Sequence, residues 1–351
     1  MGGKMFGIGR VAVLVGFALG GAASSRAQSS PSLQTYFKEE IGLTDEQIAT
    51  IRSGQAFSKN LKSREADEIF VFGAVYVNAK PESYLKFARD FKRLRTVPGF
   101  LAIEEFSDPP VLSDVKGLTL DSEDLKELKE CKPSDCKIQL PASAIEDVHQ
   151  MVDWTDADAG EKAEQLVRKK VLERVTTYQE KGNEVLGEYN DKKHATEVPE
   201  QFKYMLSYAK ALPKYLPDFY NYLLTYPAGK PANVENSFYW ARVKFGLKPT
   251  LRVVHVITMH GDVGGDPVDV IAEKQLYSSH YFETALDLTF CVRDRAEPKA
   301  TGFYLIRTMG SEQAGLTGFK GSIVRKVATD RSASSLQKSL AAIKDALEQG
   351  Q

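Results

Sequence analysis

The stretch Glu68 to Asn78, EIFVFGAVYVN, is apolar on both alternating faces, which predicts a strand covered on two sides. Pro81 then opens an amphipathic helix with Tyr84, Leu85, Ala88, Phe91 and Leu94 as one stripe. Ahead of them, Thr44 caps a short helix whose apolar face is Ile48 and Ile51. Short elements follow: strands at 100–106, 117–120 and 136–140, a helix at 121–130, and a helix begun by Ser143 with Glu146 in a capping box. From 156 to 189 the chain becomes charged and helical, with Val167, Val171, Val175 and Tyr178 on one face, and helices at 199–212 and 218–226 follow. After Asn236 the period changes to two. Strands are expected at 237–245, 251–260, 268–276, 277–292, 302–309 and 319–328. Leu336, Leu340, Ile343 and Leu347 then form one stripe of a closing helix.

This order predicts an α+β fold: a curved antiparallel sheet gripping a long C-terminal helix, with a helical insertion. The expected organisation is an N-terminal helical arm over 28–66 and a domain over 67–348, interrupted by the helical insertion at 155–230. The opening VFGAVYVNAKPESYLKFARDF at 71–91 and the closing GFKGSIVRKVATDRSASSLQKSLAAIKDAL at 318–347 resemble the helix-grip fold of START-type lipid-transfer and polyketide-cyclase-like proteins. That resemblance implies an apolar cavity between sheet and last helix that holds a lipid or another hydrophobic small molecule. The helical insertion departs from the pattern of a compact member.

Composition narrows the classes. Of 351 residues, 42% are apolar and 26% charged, which excludes a disordered polyelectrolyte and a multi-span membrane protein. The 46 basic residues against 47 acidic ones leave no charge excess for bulk nucleic-acid binding. Residues 1–27 read as a signal peptide: Lys4 and Arg10 precede the apolar run from Val11, and Ser25-Arg26-Ala27 ends in a small-x-small pattern. Its removal takes the formal charge from −1 to −4 and predicts a periplasmic or secreted protein. In such a compartment Cys131 and Cys136, separated by the turn formers Pro133, Ser134 and Asp135, are expected to form a disulfide, while Cys291 lies in an apolar strand pattern as a buried free thiol.

Candidate chemistry comes from polar residues on inward faces. In the strand pattern at 276–292, Ser278, His280 and Phe282 fall on the even, core-facing side. Arg307 and Arg325 interrupt apolar alternation and suit a carboxylate or phosphate head group. With Tyr239 these are the expected ligand-binding residues. No GxSxG, Walker loop or GxGxxG occurs, and the His260–Asp266 loop lacks EF-hand spacing, so no catalytic residue, metal or cofactor is assigned. The tyrosines of 199–226, with Lys203, Lys210 and Lys214, have the residue types of a peripheral membrane contact or of ordinary aromatic packing. The expected function is an exported binding protein for a hydrophobic ligand. The alternatives are a cyclase- or hydrolase-like enzyme using His280 with Tyr239 or Tyr281, and an envelope interaction module.

Overall fold

The computed structural model describes residues 33–97, 99–244, 248–263, 265–293, 301–313, 315–316 and 318–350, and the expected signal peptide lies outside them. In chain order the strands are β1 (Phe57–Leu61), β2 (Glu68–Val77), β3 (Phe100–Glu105), β4 (Glu188–Tyr189), β5 (Thr196–Glu197), β6 (Val234–Lys244), β7 (Pro249–Val263), β8 (Asp266–Ser278), β9 (Phe282–Val292) and β10 (Phe303–Gln313). The helices are α1 (Leu33–Thr35), α2 (Asp45–Arg52), α3 (Pro81–Ala88), α4 (Phe91–Leu94), α5 (Ser122–Glu130), α6 (Ala142–Met151), α7 (Ala159–Lys181), α8 (Val198–Leu206), α9 (Ala211–Tyr215), α10 (Pro217–Thr225) and α11 (Gly318–Gln349).

Eight strands form one antiparallel sheet in the order β1-β2-β10-β9-β8-β7-β6-β3, and β4 with β5 makes a two-residue ladder. The meander β6 to β10 is flanked by the early strands, β2 beside β10 and β3 beside β6. The α+β class is therefore the observed one, with the long C-terminal helix packed on the sheet.

The two faces of the sheet bury different helices. On one face Ile69, Val71, Val75 and Val77 of β2 meet Leu336, Leu340, Ile343 and Leu347 of α11, all buried. The stripe spacing seen in sequence is the contact itself. Gly73 makes the approach possible: a Cβ there would lie 2.7 Å from Leu340 Cδ1 and 2.8 Å from Leu336 Cδ2. On the opposite face α7, α8 and α10 bury Val175, Tyr178, Phe202, Phe219 and Tyr222 against Trp240 and its neighbours. The Trp240 indole, fully buried, donates to the Asp114 carbonyl at 2.7 Å, so its one polar group is satisfied. Beside this layer the N-terminal arm packs Phe37, Ile48 and Ile51 onto Phe72, Tyr304 and Ile306. Thr44 caps α2 in a capping box with Gln47.

Five sequence expectations are corrected. Residues 319–328 are helical, the start of α11, rather than a strand. β10 is already flanked by β2 and β9, so a strand following it could not pair with β10 as a hairpin. The predicted strand at 277–292 is broken by a turn at Ser279–Tyr281, where Tyr281 adopts a left-handed φ of 66°. Residues 117–120 and 136–140 are not strands: Leu118 N–H bonds Val115, Cys136 N–H bonds Asp191, and Gln139 N–H bonds Ser279. Finally, α6 starts at Ala142 after Pro141, whose carbonyl takes the Ala144 and Ile145 N–H groups, so Ser143 is not the cap. Helices α5 to α10 thus lie between β3 and β6, with α5 and α6 preceding the expected insertion and the β4–β5 ladder within it.

Candidate functional site

The first turn of α5 is capped by Asp121, which accepts the Asp124 N–H at 2.9 Å. Asp124, Glu127 and Leu128, at i, i+3 and i+4, are the residues this helix buries. Two inward carboxylates need partners, since buried acids are otherwise costly. The partner of Asp124 comes from the β8–β9 turn. Ser279 fixes that turn to β7 by exchanging bonds with the Leu251 backbone: its N–H donates at 2.9 Å and its Oγ accepts at 3.0 Å. Tyr281 Oη accepts the Lys248 N–H at 3.0 Å, and Ser278 Oγ donates to the His280 carbonyl at 2.8 Å. The turn so held points His280 at α5.

His280 is 5% exposed, with Nδ1 at 3.1 Å from the Lys137 carbonyl and Nε2 at 3.1 Å from Asp124 Oδ1. Glu127 pairs through Oε1 with Lys248, which also reaches Glu123 at 3.1 Å, while Glu127 Oε2 is buried without a hydrogen-bond partner. Burial opposes the Lys248 charge, but its bonds to Glu127 and Glu123 prevail and hold its pKa above the ordinary lysine value.

Asp124 also lines a half-open cavity of about 390 Å³ bordered by α5, α6, α7 and the adjoining ends of β7 and β8. Its walls are mainly apolar, among them Leu128, Leu140, Val171, Leu186 and Tyr277, with Arg174 and Ser279 as further polar groups. A second cavity, about 520 Å³, lies between the N-terminal arm, α8 and strand β9, bounded by Tyr36, Met205, Tyr208, Leu286 and Phe290. Both cavities are on the face covered by the helical layer, whereas the sequence placed the ligand between α11 and the sheet.

The residues singled out in sequence fall in three places. Ser278 and His280 belong to the turn just described, and Ser279 rather than Ser278 reaches the cavity. Phe282 opens β9 beyond the turn, its carbonyl accepting from Gln275 at 3.0 Å and its ring 5.8 Å from the Arg252 guanidinium. Tyr239 and Arg307 meet on the α11 face of the sheet, at Glu273: Tyr239 Oη donates to Oε1 at 3.0 Å and Arg307 Nη2 lies 3.7 Å from Oε2. Burial holds Tyr239 well above the usual tyrosine range. Nearby, burial raises the Asp287 carboxyl to about 6, against the opposing pull of Arg307. Arg325 is on α11, half-buried, with Nη2 at 3.5 Å from the Glu65 carbonyl. Cys131 and Cys136 are disulfide-bonded, and Cys291 is a buried free thiol.

Two features escaped the sequence pattern. One is the pairing of α5 with the β8–β9 turn, although Asp124 and Glu127 beside Leu128 already put two acids on an apolar stripe. The other is Lys274, 1% exposed, interrupting the buried series Val270, Ala272 and Leu276. Its Nζ donates to Tyr178 Oη at 3.2 Å and to Asn183 Oδ1, and sits 3.8 Å from the Phe202 ring centre. Among the described residues no carboxylate pairs with it, and burial lowers its pKa well below the lysine value. Tyr178 continues the chain to His255 at 3.1 Å, and His255 to Asn236 at 2.9 Å. This polar line is sealed in packing.

The His260 loop is a hairpin: Asp262 accepts the Gly265 N–H at 2.6 Å, while His260 turns to Asp269 at 2.6 Å. Of the 199–226 aromatics, Phe202, Phe219, Tyr222 and Tyr226 are buried and Tyr204 is exposed. Among the described residues no helix is long and apolar enough to cross a membrane. The chain matches no protein-family model, no curated protein and no solved structure.

Proposed function

We propose that this protein is an exported binding protein for a lipid or other hydrophobic small molecule, held between the helical layer and the sheet. The observation that carries this reading is the apolar cavity of about 390 Å³ with Asp124, Arg174 and Ser279 set in its wall. Ligand sites are commonly clefts of about 300–1,000 Å³, mostly apolar, with a few polar groups that fix orientation. An apolar body would replace water against Leu140, Val171 and Tyr277, and its polar end would meet the ionic wall. Export is supported by the signal-like segment at 1–27 and by the disulfide Cys131–Cys136.

Catalysis by His280 is less well supported, because both ring nitrogens are engaged and Tyr239 stands on the other face of the sheet. The test is titration with a naphthylamine dye that fluoresces in apolar surroundings, using wild type and Val171→Phe, which fills the cavity. Saturable wild-type binding that lipid displaces and that Val171→Phe abolishes is expected. Absence of saturable binding, or equal binding by the folded variant, would overturn the reading.

A further inference from the structure

Asp124, Glu127 and His280 each offer one ligand atom, and these atoms all lie within 4.8 Å of one another with all three residues buried. The Lys137 carbonyl can only accept, so His280 Nδ1 carries the hydrogen in that 3.1 Å bond. Nε2 then directs its lone pair at the Asp124 carboxylate, 3.1 Å away. Two acceptors at that distance need a positive centre between them, either a proton or a metal ion.

Charge and valence favour the metal. Lys248 pairs with Glu127 and with Glu123, itself 62% exposed, while Lys137 approaches Glu127 only at 3.8 Å and is 74% exposed. The two buried carboxylates, Asp124 and Glu127, outnumber the one close ammonium, Lys248, so the site is left with net negative charge that a bound cation offsets. The buried Glu127 Oε2, with no hydrogen-bond partner, supplies a free donor atom. We propose that His280 Nε2 and the carboxylates of Asp124 and Glu127 bind one divalent transition-metal ion of the zinc type.

The geometry needs little change. Two ligand atoms held at about 2.0–2.1 Å in tetrahedral coordination stand about 3.3 Å apart, close to the observed Asp124–His280 spacing. Glu127 closes by side-chain rotation. An imidazole whose second nitrogen donates to a backbone carbonyl is the usual support of a metal-bound histidine. One imidazole and two carboxylates suit zinc, manganese or cobalt, and three protein ligands leave a coordination position open. The ion would sit in the wall of the cavity that Asp124 lines.

The test uses untagged protein with its disulfide intact, stripped with EDTA and titrated with Zn²⁺ by calorimetry and with Co²⁺ by visible absorption. One equivalent is expected to bind with a dissociation constant of roughly 10 μM or tighter, about −7 kcal/mol. Glu127→Gln and His280→Gln should each weaken binding at least tenfold while retaining the wild-type circular dichroism. Val171→Phe should bind zinc normally, which separates this site from the ligand reading. The proposal is overturned if wild type takes up no stoichiometric metal, if both variants keep wild-type affinity, or if binding is lost in His260→Ala. Should His280→Gln not fold, the wild-type Co²⁺ spectrum decides: ligand-field bands of a nitrogen and oxygen site support the assignment, and their absence refutes it.

Discussion

His280 Nε2 stands 3.1 Å from Asp124 Oδ1, joining the β8–β9 turn to a helix 156 residues earlier. Side-chain exposures of 5% and 8% remove both groups from water. Removing one partner leaves the other buried and unsatisfied, a loss on the order of 1–3 kcal/mol. Asp124→Ala should therefore lower the unfolding free energy by about that amount in urea denaturation. A loss below about 1 kcal/mol would mean that the pair is solvated and does not tie the helical layer to the sheet.

Much of the architecture is legible because its signals are local. The Thr44 cap is a local hydrogen-bond motif, and the two-sided apolar run of β2, the Val171-Val175-Tyr178 face and the Leu336 to Leu347 stripe are periodicities within one element, each buried as its spacing requires. What is not legible depends on neighbours distant in sequence. Residues 319–328 alternate like a strand, but the sheet has no free edge beside β10 and the segment continues into α11. The parity that puts Ser278, His280 and Phe282 on one face breaks at Tyr281, whose positive φ reverses the chain. Tyr239 and Arg307 do converge, but through Glu273, which alternation alone does not select.

The seating of α11 rests on the missing side chain at Gly73. A Cβ there would come within 2.9 Å of Leu336 and Leu340, too close unless those side chains or the helix shift. Gly73→Ala should destabilise by about 1–3 kcal/mol through overpacking. Chemical denaturation checks this, and an unchanged or raised stability would show that the helix shifts freely.

Lys274 predicts an alkaline gain in stability. Burial lowers its folded pKa well below the unfolded value of about 10.4, so between those two values the unfolded chain binds a proton that the native state does not. Stability then rises with pH across that window, by at most about 1.4 kcal/mol per unit, and levels off above about 10.4. Urea unfolding of wild type and Lys274→Met from pH 7 to 10 isolates the effect, since other titrating groups cancel. Parallel profiles would contradict a native amine held neutral.

Asp287 acts with the opposite sign. Its carboxyl is raised by burial to about 6, above the unfolded value near 3.9, so the native state binds the extra proton. Its contribution is present below about pH 4 and is lost as pH rises through 6, a fall of about 2–3 kcal/mol at most. Asp287→Asn should remove that fall and be at least as stable as wild type at pH 7. A wild-type decline between pH 4 and 6 that persists in the variant would assign it to another group.

The most direct measurement is native mass spectrometry of the protein after incubation with a bacterial lipid extract, beside Leu140→Trp, which blocks the same cavity. The account predicts one hydrophobic molecule retained per wild-type chain and none by the folded variant. Ligand-free wild type, or equal retention by both proteins, would contradict it.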